Sequence, residues 1–184
     1  MSDRVEVRFS GSGGQGIILA GVILAEAAAI YDNKNAVQSQ SYGPEARGGA
    51  SKSEVIISDG EIDYPKATHI DILLALTQVA CDKYVPDIKK GGVLIVDCHE
   101  VQTIPKGDFT VYSLPVFELA QEKIGKRIVA NIIALGVVVG LTGVVSRKAI
   151  EEAVLGRIPR GTEELNLRAL QVGFEEAERL KGKV

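Results

Sequence analysis

The segment Gly11-Ser12-Gly13-Gly14-Gln15-Gly16 constrains this chain more than any other. Before it, Arg4 to Phe9 alternates polar and apolar residues, the period of a short strand. After it, Ile17 to Ile30 is almost wholly Ala, Ile, Leu and Val, with Glu26 its one charge. That is the composition of a helix buried over most of its surface. A strand that turns through glycines into a buried helix opens an α/β unit, and the spacing fits G-x-G-x-x-G. A helix start leaves free N–H groups that attract anions. Glycines remove the Cβ atoms that would keep a phosphate away, and Gln15 adds a neutral side-chain donor. Two readings follow: an anion or nucleotide site at Gly11–Gly16, or a tight turn that only packs helix on strand.

The rest of the chain continues the alternation. Asn35 to Ser41 reads as a second strand, polar for a central one. Gly43-Pro44 and Gly48-Gly49 bracket a loop after it. Ser53 to Ser58, the pair Asp59-Gly60 and Glu61 to Tyr64 predict a hairpin, since Gly tolerates a primed turn. Asp71 to Leu76 and Gly92 to Asp97 are apolar runs of the kind buried parallel strands show. Gln78 to Lys90 between them predicts a short helix interrupted near Pro86. Phe109 to Leu114 is a further strand, followed by a helix over Val116–Ile124 that Pro115 opens and Gly125 stops. Helices follow over Val129–Leu141 and, capped by Ser146, over Arg147–Leu155. Pro159 and Gly161 break the chain. Thr162 is read as the cap of a last helix with an apolar stripe of Leu167, Leu170, Phe174 and Ala177. The prediction is one α/β domain over residues 1–184: an open, mostly parallel, Rossmann-like sheet flanked by helices, with a β-hairpin insertion and a helical C-terminal part.

Composition removes several functions. Hydrophobic residues are 46% and charged residues 24%, the mix of a globular protein. With a net charge of −3, aromatics at 5% and no Trp, the chain has no general attraction to nucleic acid or anionic membrane. Two cysteines cannot ligate an iron–sulfur cluster alone, and two histidines are few for zinc. No metal site is therefore expected. The uncharged run Ile128 to Val145 falls short of the roughly 20 apolar residues of a bilayer span. It is read as a core helix, partly a subunit interface. Met1 to Glu6 has no apolar leader, which predicts a cytoplasmic protein.

The dinucleotide-binding pattern expects an acid at the end of the second strand, for the ribose. That region reads Val37-Gln38-Ser39-Gln40-Ser41, and Asp32 lies before the strand. No lysine follows the glycines as in a phosphate-clamp ATPase. The loop Ser41 to Gly49 leaves the same sheet edge as the glycine loop if the two strands run parallel. Arg47, beside Gly48, then offers a fork of donors to an anion, and Tyr42 a cover for an apolar ligand part; alternatively Arg47 pairs with Glu45. Asp97-Cys98-His99 suggests a nucleophilic pair, but extended neighbours point oppositely. Asn131 bonds either a ligand or neighbouring backbone, since a buried amide must find partners. No catalytic residue is assigned.

Together, Gly11–Gly16, the run Gln40-Ser-Tyr-Gly-Pro-Glu-Ala-Arg-Gly-Gly49, Ser53–Ser58 and Ala130-Asn-Ile-Ile-Ala-Leu-Gly136 resemble the gamma subunit of 2-oxoacid:ferredoxin oxidoreductases. The similarity runs over nearly the whole chain, and the long second loop looks most like the 2-oxoglutarate branch. The resemblance implies a multi-subunit enzyme that decarboxylates a 2-oxoacid on thiamine diphosphate. Its electrons pass through iron–sulfur clusters to ferredoxin, and the product is an acyl-coenzyme A. Thiamine diphosphate and the clusters would lie in partner subunits of alpha, beta and delta type. The gamma part would help hold the subunits together and bind coenzyme A, through Gly11, Ser12, Gly13, Gly14, Gln15, Gly16, Tyr42, Arg47, Gly48 and Asn131. Alone it would be inactive and self-associated, as a homodimer for example. A free-standing nucleotide-binding oxidoreductase and a ligand-sensing module are the competing readings.

Overall fold

The structure, a computed structural model, describes residues 4–41 and 49–182. Six strands form one sheet: β1 (Val5–Gly11), β2 (Asn35–Ser41), β3 (Ser51–Ser58), β4 (Ile70–Ala75), β5 (Ile88–Asp97) and β6 (Phe109–Leu114). Their order is β2-β3-β1-β4-β5-β6. The β1–β4, β4–β5 and β5–β6 pairs are parallel, and β3 is antiparallel to both β1 and β2. The mostly parallel α/β sheet is therefore as the sequence predicts.

The hairpin lies elsewhere than predicted. β3 pairs backwards with β2, and Glu61–Tyr64 forms no strand. Those residues belong to a segment tied down by backbone contacts: Arg4 donates to Tyr64 O at 2.9 Å and Lys66 O at 3.0 Å. Asp-Gly marks a turn, but the partner strand was already available upstream. The polarity of β2 also has a physical reason: it is an edge strand, half-buried along its length.

Period-two alternation divides the sheet between two cores. Val7 and Phe9 of β1, Val55 and Ile57 of β3, and Ile72 and Leu74 of β4 enter the larger one. Leu73 and Ala75 of β4 and Leu94 and Val96 of β5 enter the smaller. β4 is thus buried on both faces, which explains its continuous apolar run. The larger core is roofed by α1 (Ile17–Glu26), α3 (Val116–Leu119), α4 (Ala130–Thr142), α5 (Arg147–Arg157) and α6 (Glu163–Lys181). The smaller is covered by α2 (Gln78–Tyr84) through Ala80, Cys81 and Tyr84. The predicted helix over Gln78–Lys90 is shorter, because Ile88 to Lys90 already belong to β5.

α4 is buried from Ala130 to Gly140. It runs against α6 so closely that a Cβ on Gly136 would stand 2.5 Å from Leu170 O and 3.1 Å from Gly173 Cα. Most of the apolar run is therefore used inside the chain; at its ends Ile128 (81% exposed) and Gly143 are exposed, and Leu141 and Thr142 are half-buried. Among the described residues no helix is long and apolar enough to cross a membrane. On α6 the buried stripe runs Asn166, Ala169, Leu170, Gly173, Phe174, Ala177, with Leu167 only half-buried. Thr162 does not cap by its hydroxyl, which donates to Pro159 O at 2.7 Å. Ser146 does cap α5, accepting from Ala149 N at 3.1 Å.

Candidate functional site at the carboxyl edge of the sheet

β1 and β4 are parallel neighbours whose following helices go to opposite faces, α1 to the larger core and α2 to the smaller. The crevice outside such a switch point is where open α/β sheets take ligands. The glycine loop stands over it. The hydrogen bond from Leu76 N to Ser10 O, 3.0 Å, fixes its base.

Inside the loop, Gln15 folds back. Its Oε1 accepts from Ser12 N at 2.8 Å, and Gln15 N leans on Ser12 O at 3.4 Å. The Gln15 amide oxygen thus serves the loop itself, as an acceptor. One loop amide is taken by the chain itself. Gly13 and Gly14 are exposed, and their amides carry no hydrogen bond among the described residues. Gly14 (φ 84°) and Gly16 (φ 74°) are left-handed, a conformation that L side chains rarely adopt.

Asn131 joins α4 to this loop. Its Nδ2 donates to Gly16 O at 3.3 Å, and a Cβ on Gly16 would lie 2.7 Å from Asn131 Cγ. The buried amide is therefore satisfied by backbone, and it sets two helix starts side by side. Between them lies a cleft of about 300 Å³ lined by Gly14, Gln15, Phe117, Arg127, Ile128 and Ala130. Arg127 and Phe117 have no motif around them, and sequence reasoning missed both. The guanidinium of Arg127 lies 4.2 Å from the Phe117 ring centre.

The strand that leads into the second predicted loop ends at the same edge. β2 and β1 are both antiparallel to β3, so they run in the same direction, and Ser41 and Ser10 both register with Lys52. Tyr42, Arg47 and Gly48 lie outside the described residues. β3 is inserted between β1 and β2, which removes the strand adjacency a dinucleotide ribose site uses. Asp32 is spent elsewhere, accepting from Ser146 N and Ser146 Oγ, each at 2.7 Å.

Asp97, buried, accepts from His99 N at 2.9 Å and Phe117 N at 3.0 Å, tying the ends of β5 and β6 together. His99 Nδ1 sits 3.2 Å from Glu118 rather than serving Cys98. Burial, then the charge of Asp97, push the Cys98 thiol up. Burial with Asp82 pushes Cys81 to about 11. Both shifts run opposite to the lowered pKa that activates a thiol.

Comparison with known proteins completes the picture. The model of the pyruvate ferredoxin/flavodoxin oxidoreductase family matches residues 6–176. The 2-oxoglutarate synthase subunit KorC of Methanocaldococcus jannaschii is 58% identical over 179 residues, covering 96% of each chain. The keto/oxoacid ferredoxin oxidoreductase gamma subunit from Geobacter sulfurreducens superposes with a TM-score of 0.87 at 59% identity, covering 95% of this chain and 99% of that one. The 2-oxoglutarate:ferredoxin oxidoreductase from Magnetococcus marinus, solved with 2-oxoglutarate, coenzyme A and succinyl-CoA bound, shares the fold (TM-score 0.83, 23% identity) over 96% of this chain and 31% of its own. The chain belongs to the pyruvate ferredoxin/flavodoxin oxidoreductase family. Within it, the sequence is that of a gamma-type subunit of a 2-oxoacid:ferredoxin oxidoreductase, most like the 2-oxoglutarate branch.

Proposed function

We infer that this subunit helps hold coenzyme A for a 2-oxoacid oxidised elsewhere in the complex, and that the oxoacid is 2-oxoglutarate. In this reading the coenzyme's phosphates meet the Gly11–Gly16 loop, Tyr42, Arg47 and Gly48 add further contacts, and Asn131 holds the glycine loop's far end. Thiamine diphosphate and iron–sulfur clusters belong to partner subunits of alpha, beta and delta type, and ferredoxin takes the electrons. The complex works in the cytoplasm, and this chain supplies assembly and binding rather than a reacting group.

The observation that carries the reading is the pair of exposed glycines, Gly13 and Gly14. Their amides have no bond among the described residues, and they stand at a helix start beside a cleft. Coenzyme A brings a pyrophosphate and a ribose phosphate, the ligand chemistry such donors favour. The Magnetococcus enzyme, of the same fold, is described with coenzyme A bound.

Gly13 is the position to test, because it lies outside the left-handed region and tolerates a side chain conformationally. In the assembled complex Gly13→Val is expected to raise the KM for coenzyme A by about tenfold, the loss of one hydrogen bond to a charged group. The KM for the oxoacid should stay within about twofold on the same scale. An unchanged coenzyme A KM in a normally folded complex makes the loop purely architectural. Arg47→Ala is expected to weaken coenzyme A more than the oxoacid; the reverse places Arg47 at the substrate carboxylate.

A further inference from the structure

The loop supplies neutral donors, yet the ligand proposed for it is a polyanion. Of the six residues lining the adjoining cleft, Arg127 is the charged one. It stands in the tight turn Arg127–Val129 that leads into α4, and it lines the same cleft as Gly14 and Gln15. Its plane is fixed by stacking on Phe117, 4.2 Å from the ring centre. Stacking occupies the face of a guanidinium and leaves its five edge donors available. Among the described residues one of them is used, donating from Nη2 to Glu100 Oε1 at 3.3 Å. That pair is half-exposed on both sides, and a surface ion pair of this kind holds weakly.

Arg127 thus borders two spaces. On one side is the glycine-loop cleft. On the other is a hollow of about 410 Å³ lined by Glu100, Glu118 and Glu122 among others, which repels an anion. We propose that Arg127 is the cationic arm of the coenzyme A site. Resting on Glu100 when the site is empty, it is taken over by a ligand phosphate that enters between it and the Gly13–Gly14 amides. The acidic hollow then confines the phosphates to the loop side. This rests on the coenzyme A reading above, and adds a residue and an exchange of partners to it. Phe117 is a positioning residue: it keeps the guanidinium edge-on to the cleft while its partner changes.

The test uses the assembled complex, with coenzyme A, 3′-dephospho-coenzyme A and pantetheine as acyl acceptors. Arg127→Gln is expected to raise the KM for coenzyme A about tenfold and to flatten its dependence on salt. It should leave the KM for the oxoacid, and for the phosphate-free pantetheine, within about twofold. A defect that persists with the dephospho form assigns Arg127 to the pyrophosphate; one that disappears assigns it to the ribose phosphate. Glu100→Gln removes the resting partner and is expected to lower the coenzyme A KM by about two- to threefold. An Arg127→Gln complex with an unchanged coenzyme A KM overturns the proposal, as does an equal defect with pantetheine or a raised KM in Glu100→Gln. If Gly13→Val still weakens coenzyme A in that case, the broader reading stands without Arg127. If both variants are silent, both readings fall.

Discussion

Gly173→Val is expected to lower the unfolding free energy by about 3 kcal/mol, the upper end of overpacking costs. A Cβ at this position would lie 2.8 Å from Gly136 Cα and 2.9 Å from Val137 N, and would press on Ile133 O as well. These are backbone atoms of α4, so relief requires the two helices to part. Gly to Ala in an unhindered helix interior gains roughly 0.5–1 kcal/mol from reduced chain entropy. At Gly173 that gain is outweighed, and even Gly173→Ala should destabilise. Gly156 in α5 provides the contrast: a Cβ there meets only Tyr31 Oη, at 3.9 Å. Gly156→Ala should therefore be neutral or stabilising. Urea unfolding of the three variants measures the contrast directly. A stabilised Gly173→Ala would show that the α4–α6 contact is looser than described.

Arg8→Met is expected to cost about 3 kcal/mol, near the lower end for breaking a buried ion pair. Arg8 is 3% exposed on β1. Its Nε donates to Glu54 Oε1 at 2.7 Å, its Nη1 pairs with Asp87, and it stacks over the Tyr84 ring at 4.9 Å. Removing it strands the buried Glu54. Two features moderate the loss: Lys52 still reaches Glu54 at 3.0 Å, and Asp87 is exposed enough to turn to water. The double variant Arg8→Met with Glu54→Leu removes the stranded charge and should recover most of the stability. If the double variant is no better than the single, the network contributes through geometry rather than through its charges.

How much of this was legible in the sequence depended on how local the cause was. The glycine loop, β6 and the Ser146 cap follow from neighbours in the chain, and all appear where the residues place them. The hairpin was misplaced because Asp59-Gly60 announces a turn but not which strand pairs across it. The choice of β2 over Glu61–Tyr64 is made by long-range contacts, Arg4 to Tyr64 and Lys66 among them. On α6 the expected Leu170, Phe174 and Ala177 are buried and Leu167 is half-buried; Gly173 joins the stripe without a sequence signal, since it is buried by close approach rather than by hydrophobicity. At the site, Gly11–Gly16 and Asn131 carried motif signals. Arg127 did not, because its significance is a distance to Phe117 and a shared cleft with Gly14, both products of tertiary folding.

The double burial of β4 has a consequence for how the protein is made. β4 and its neighbour β5 are synthesised in the middle of the chain, but α4, which packs on the larger-core side of β4, arrives in the last third. Until then a growing polypeptide presents a naked greasy ribbon, the kind of surface that sticks to others of its sort. Hydrogen exchange in the finished subunit should be slowest at the Ile72–Ala75 amides, which open only when both layers lift away together. Shielding during synthesis, by a chaperone or by prompt capture into the growing assembly, is the cost of threading the sheet's centre before its cover.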